Sequence, residues 1–419
     1  MASLEFVHLV AQRPEVHDGL VRWIATREET IERLPQIVWS NHSTWGEANL
    51  WALEQAKVRD IKTIHASMNH MLGYANWLEA EGIDWWHFPA RMSERCLPRF
   101  RGALVRARNN GEIAPTTASV RMSTVVRFYR WLQATGMIST SWPMWTDRHI
   151  GIRLTNSFGF EHTLRVTTTD LAIPNTKVAG AIELEDGVMP LTTEGMSQVI
   201  EIANAKASEE LALMLRIGFG TGLRLGSILD LKLATIEQSA IDPVSGWYHI
   251  AVGPGARPPV ATKFGMSGMV PIPTPLLEQL REYACSMRRL KRQAQATPQH
   301  RDLLFLTRFG TPYSGMESRA INVEMSRLRG AGKAAGVDVL RNFHFHRTRA
   351  TFATMLLRAA LRCLPVGDAV QLVREACLHK DVETTLKYVK FIESSKAMSE
   401  VADAFTEAFM GLARGARDV

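Results

Sequence analysis

Apolar positions give the first outline of the chain. From Asp60 to Glu81 they fall at Ile61, Ile64, Met68, Met71, Leu72, Ala75 and Leu78, the i, i+3, i+4, i+7 recurrence of an amphipathic helix, and Gly82 supplies its stop. The basic segment RMSERCLPRFRGALVRARNNG reads as a second helix ended by an Asn-Asn-Gly turn signal. A third runs from a Thr116/Thr117 cap to Gly136, with Met122, Val125, Val126, Tyr129 and Leu132 on one face and Arg127 and Arg130 on another. These segments predict a helical domain over residues 56–150. Ahead of it, residues 1–55 hold Trp23, Trp39, Trp45 and Trp51 among mixed charges and read as a small helical appendage of unassigned role, its aromatics packed against something larger.

Helical periodicity is lost over residues 151–190. Threonines cluster there at Thr167, Thr168 and Thr169, with Pro174 and Pro190 nearby, which predicts an interdomain linker. A new helix opens at LTTEGMSQVIEIANA, where Thr192 or Thr193 can cap. Between about 240 and 275, GWYHIAV and SGMVPIP are short extended pieces bounded by Gly and Pro, and helices return from Pro275. The expected fold class is therefore mainly α with a small antiparallel β-sheet (α+β), with a second domain over residues 191–419. No internal repeat of the solenoid kind is present.

Bulk properties narrow the classes. A chain of 419 residues favours two or three domains, and 46% hydrophobic with 22% charged residues is a globular composition. The net charge of +7 favours an acidic polymer as partner, nucleic acid before an anionic membrane surface. No run of eighteen apolar residues occurs, and Gln12, Arg13 and Glu15 interrupt any signal-peptide core at the start, so a cytoplasmic location is expected. Cys96, Cys285, Cys363 and Cys377 form no CxxC pair, which argues against a zinc ribbon or a disulfide framework.

Four stretches of the second domain carry candidate chemistry. GTGLRLGSILDLK places Arg224 at the start of a helix, where an arginine opposes the macrodipole and so is not there for helix stability. ATKFGMSGMVPIP places Lys263 in a Gly-containing turn between strands. FHFHRTRATFATMLL places His346 and Arg349 three apart on one helical face. His344 and His346 would also alternate as two metal ligands on a strand, but no third ligand of suitable spacing accompanies them. Finally, CLHKDVETTLKYVKF sets Tyr388 nine residues after His379, with Asp381 able to cap the intervening helix. Each stretch alone has an ordinary structural reading. Together, two arginines, a lysine, two histidines and a tyrosine form a set for metal-free phosphoryl transfer. Guanidinium forks can hold a phosphodiester and its transition state, nearby cations ease phenol ionisation, and a lysine can protonate the departing oxygen. Arg127 and Arg130 in the first domain are candidates for phosphate-backbone contact.

These motifs resemble the tyrosine recombinase (phage integrase) family. TGLR at 221–224, Lys263, HRTR at 346–349 and HKDVETTLKY at 379–388 match its pattern in order, strongly over residues 191–395 and more weakly over 56–150 as the helical core-binding domain. The resemblance implies that Tyr388 attacks DNA to give a 3′-phosphotyrosine, that Arg224 and Arg349 hold the phosphate, and that Lys263 is the general acid. His346 would then assist proton transfer and His379 bond a phosphate oxygen. It implies no cofactor, no ATP and no divalent metal. The implied partners are double-stranded DNA and further copies of the chain in a tetramer on two sites, with accessory proteins left open and no membrane. The event would be integration, excision or transposition of a mobile element. The resemblance also implies that the C-terminal stripe Met398, Val401, Ala402, Phe405 and Phe409 packs on a neighbouring subunit. Three positions depart from the pattern: Ser227 replaces the usual acid, Ala350 a frequent His, and Leu378 the Gly before the histidine. The alternatives are a type IB topoisomerase-like enzyme and a DNA-binding protein derived from a recombinase.

Overall fold

A computed structural model describes residues 1–155, 161–175, 184, 187–243, 246–315 and 318–395. The chain divides into two units, Met1–Ala179 and Gly180–Val419, and each is described by itself. The fold is mainly α with small antiparallel β elements.

In the first unit, α1 (Gly46–Ala56), α2 (Ile61–Glu81), α3 (Cys96–Asn109) and α4 (Pro115–Ala134) surround an aromatic core that includes Trp45, Tyr74, Phe100, Phe128 and Tyr129. α2 begins where its pattern requires: the Asp60 side chain accepts from Lys62 N, and Gly82 closes it at φ 63. α4 starts differently from the expected threonine cap, with Ala114 at the cap position and Pro115 in the first turn.

Two sequence expectations for this unit are corrected. Residues 1–55 do not open as a helical appendage. They form a long antiparallel hairpin, β1 (Ser3–His17) and β2 (Leu20–Val38), before α1. Its turn is Asp18-Gly19, both at positive φ (51° and 76°), the backbone that matches the right-handed twist of paired strands. Likewise, the expected linker over 151–190 contains structure: β3 (Asp147–Thr155) pairs with β4 (Glu161–Thr169). The clustered threonines are β-branched, and they favour a strand over an open connection.

In the second unit, α5 (Thr193–Lys206) is capped by the Thr192 side chain. It is followed by α6 (Glu209–Thr221), α7 (Leu225–Leu229) and α8 (Leu233–Glu237). The sheet has the order β5-β6-β7, built from Ala240–Ile241, Tyr248–Val252 and Gly268–Ile272, the last two being the extended pieces read from sequence. Helices α9 (Thr274–Cys285), α10 (Met287–Gln295), α11 (Ala320–Ala334), α12 (His346–Ala360) and α13 (Val366–Cys377) follow, and residues 382–395 are helical. One core joins α5–α7, the sheet, α9 and α11; a second gathers α12, α13 and the 382–395 helix. Among the described residues no helix is long and apolar enough to cross a membrane.

A buried ionic knot ties α6 to α10. Glu210, fully buried, accepts from Arg288 Nε at 2.8 Å, Tyr283 Oη at 2.9 Å and Arg292 Nη1 at 2.9 Å. Burial pushes its carboxyl upward, but the Arg288 hydrogen bond and the Arg292 charge outweigh that and leave it below the usual range. A depressed acid contributes stability above its unfolded-state value and loses it as pH falls through the folded one. Glu210→Gln should thus cost about 3 kcal/mol at neutral pH by leaving Arg292 uncompensated. In urea unfolding the gap from the unsubstituted protein should narrow as pH drops below the ordinary carboxylate value of 4.5.

Candidate active site

The first arginine is placed by a helix ending. α6 closes at Gly222, φ 66°, with its N–H on Gly218 O. This left-handed residue turns the chain so that Arg224 becomes the N-cap of α7, half-buried, with its carbonyl accepting from Ser227 N and Ile228 N. A side chain at 222 is excluded twice, because a Cβ there would lie 2.4 Å from Phe352 Cδ1 of α12.

Arg349 comes to the same turn from α12. Only 2% exposed, it donates from Nη1 to Gly222 O at 2.8 Å. The two expected phosphate-holding arginines are thus brought together through two residues of backbone. His346 opens α12 one turn earlier and is half-buried. His344 lies outside that helix and is exposed, and the residue between the two, Phe345, has helical φ and ψ (−52°, −36°), so the strand on which the two histidines would alternate is not formed. Among the described residues no three His, Cys, Asp or Glu side chains gather as metal ligands would.

Tyr388 is fully buried in the cluster that includes Ala350, Ala353, Val373, Cys377 and Val389. Ala350 is the small residue standing where the family often has His, and it belongs to the apolar surroundings of the tyrosine. His379 is buried, stacks on Tyr388 with ring centroids 6.1 Å apart, and hydrogen-bonds through Nδ1 to Thr385 Oγ1 at 2.8 Å. That bond fixes the ring and leaves Nε2 at its other edge.

Lys263 is exposed in the connection between β6 and β7. Asp230, at the end of α7, accepts from Ala261 N at 2.6 Å and pairs with Lys232 at 2.7 Å. It therefore fastens the lysine turn to the helix that Arg224 caps. Sequence reasoning missed Asp230 and Thr385, since neither bond has a spacing signature: the first spans thirty-one residues and the second joins a loop to the following helix.

In the first unit, Arg127 donates to Thr124 Oγ1 at 2.9 Å, and Arg130 pairs with Asp147 at 2.9 Å beside Trp145. Both line a cavity of about 440 Å³ with Thr167 and Thr169. Burial and the charges of Arg121 and Arg127 lower the pKa of His70, and burial and Arg59 lower that of Arg127. Arg59 and Arg121, which the sequence reading did not name, thus lie close enough to Arg127 and His70 for their charges to be felt there.

Residues 190–393 match the phage integrase family. Among solved structures, the chain is similar to the Tn1549 transposon integrase in complex with transposon right end DNA. There the identity is 13%, the TM-score 0.50, and 85% of this chain and 98% of that chain are covered. It is also similar to a lambda integrase dimer bound to a COC′ core site, at 14% identity and TM-score 0.46, covering 80% and 91%. No curated protein matches the chain.

Gly222→Ala should lower the stability of the second unit by about 2 kcal/mol, from the left-handed backbone and the Phe352 contact together. Gly226→Ala, in α7 with no atom within 4 Å of its added Cβ, should stay within about 0.5 kcal/mol of the unsubstituted protein in the same urea titration.

Proposed function

We propose, from the match of residues 190–393 to the phage integrase, or tyrosine recombinase, family, that the chain is a site-specific DNA recombinase acting on the ends of a mobile element. The observation that carries the reading is the shared turn: Arg349, buried on α12, bonds the carbonyl two residues before Arg224. Two arginines anchored at one turn, Arg349 buried and Arg224 half-buried, are suited to a phosphodiester and to the extra charge its non-bridging oxygens gain during attack.

The chemistry follows from the groups around it. Tyr388 Oη attacks the phosphorus, the Oη–P bond forms and the P–O5′ bond breaks. The phenolic proton passes toward His346, and Lys263 supplies a proton to O5′, which leaves as a hydroxyl. His379 donates to a phosphate oxygen. The product is still a phosphodiester, now between tyrosine and the 3′ end, so a 5′-hydroxyl from a second strand can reverse the step without a nucleotide cofactor. Because Tyr388 is fully buried, cleavage also requires DNA binding to uncover it, which couples the nucleophile to the substrate. The cationic group around Arg127 in the first unit would contact phosphates along the duplex without reading bases.

Strand exchange needs several copies. The C-terminal stripe from Met398 to Phe409 lies outside the described residues. An apolar cavity of about 400 Å³ in the second unit, lined by Phe219, Trp247, Ile272, Phe352, Met355 and Leu356, is a fitting seat for such a stripe from a neighbouring copy in a tetramer on two DNA sites.

Incubated in EDTA with nicked duplexes carrying the element's ends, the protein should form an adduct that survives SDS, and Tyr388→Phe should form none. Arg349→Ala should lower the cleavage rate by about a hundredfold or more. Binding without any adduct on these ends would favour the reading as a DNA-binding protein instead. A chain ending after Glu393 should still cleave but fail to yield recombinants. Full recombination by that chain as a monomer would remove the proposed subunit contact.

A further inference from the structure

Two bulky residues of the second unit hold positive φ, Phe264 at 65° and Leu378 at 51°. Neither has the short polar side chain that eases this conformation, so the surrounding structure must impose it on both. Their positions are adjacent to the site: Phe264 follows Lys263, and Leu378 precedes His379. They also lie on the two sides of one contact. α13, which Leu378 closes, packs on β7, and the Leu378 Cδ2 lies 2.5 Å from where a Cβ of Gly268, the first residue of β7, would stand. Leucine here occupies space that only a glycine opposite leaves open. At the other end of the same contact the exposed Phe264 ring has Lys263 Nζ 5.3 Å from its centroid and Lys380 Nζ 5.6 Å from it.

We propose that Phe264 is a positioning residue: its ring, shared by Lys263 and Lys380, together with Leu378 seated over Gly268, holds the lysine turn on the His379–Tyr388 segment, so that the leaving-group acid and the nucleophile are presented to DNA as one group. The proposal rests on the recombinase reading. In an in-line displacement the entering and leaving oxygens lie on opposite sides of phosphorus, so their proton donor and nucleophile need a fixed separation. A lysine on an exposed turn has a flexible stem and no such separation of its own. Asp230 fixes the turn at Ala261, before the lysine; Phe264 fixes it after. An aromatic face suits this task, because it attracts an ammonium group weakly enough at an exposed site to release it when a phosphodiester arrives.

The test compares single-turnover cleavage of one nicked duplex sequence with either oxygen or sulfur as the 5′ leaving atom. A thiolate departs without protonation, so a fault in placing the acid vanishes on the sulfur duplex. Phe264→Ala and Phe264→Leu should slow oxygen cleavage by about tenfold or more and stay within about twofold of the unsubstituted protein on sulfur. Phe264→Trp, which keeps an aromatic face, should restore the oxygen rate, and adding Lys380→Ala to Phe264→Ala should slow it no further. Equal losses on both duplexes, or a Phe264→Leu protein as fast as the unsubstituted one on oxygen, would overturn the proposal; the latter would show that apolar volume alone suffices, as for a wedge between bases. If the unsubstituted protein cleaves neither duplex, the recombinase reading itself fails, a result distinct from any loss confined to the variants.

Discussion

The hydrogen bond from Arg349 to Gly222 O is the constraint on which the site depends. A guanidinium group that is 2% exposed must find acceptors, since an unpaired buried charge is strongly destabilising. Its acceptor is a carbonyl at the C-terminal end of α6, where the helix dipole favours a cation. The same residue, Gly222, turns the chain into α7, so the bond that satisfies Arg349 also fixes the base of Arg224. Arg224 has the opposite local electrostatics, a cation at a helix N-terminus. One arginine is stabilised by its helix end and the other is not, and a bound phosphodiester would offset the second.

Around this centre the other groups are attached through single contacts of different kinds. Asp230 ties the lysine turn to α7 by a backbone hydrogen bond, Thr385 orients His379, and the apolar cluster of α12 and α13 encloses Tyr388. The departures from the family pattern become intelligible in these terms. Leu378 adopts the left-handed backbone that a glycine would take freely, and Gly268 opposite makes room for its side chain. Ala350 is buried within the cluster that holds the tyrosine, where a small residue packs. Ser227 is buried on α7 beneath the Arg224 turn, and its N–H bonds the Arg224 carbonyl.

Much of this was legible in sequence where the information is local. Asp60 and Gly82 bracket α2, Thr192 caps α5, and β6 and β7 fall in the two extended stretches named from their flanking Gly and Pro. The choice of the six candidate residues rests on ordered spacing. What the sequence concealed was non-local or governed by competing tendencies. The β1–β2 hairpin is hard to read from tryptophans among mixed charges; its local cue is the two-residue Asp18-Gly19 turn. The threonines of β4 sit near prolines and fit a connection as readily as a strand. Arg130 was offered as a phosphate contact, yet in the free protein it pairs with Asp147, an exposed ion pair of the kind worth about 1 kcal/mol or less, which a phosphate can readily displace. The complete burial of Tyr388 follows from the packing of three helical segments, and no spacing rule announces it.

The most direct measurement is the identity of the residue joined to DNA. Protein trapped on a cleavage duplex would be digested with protease and nuclease, and the nucleotide-bearing peptide sequenced by mass spectrometry. The account predicts a single 3′-linked nucleotide on Tyr388. A nucleotide on another side chain, or a 5′ linkage, would contradict it.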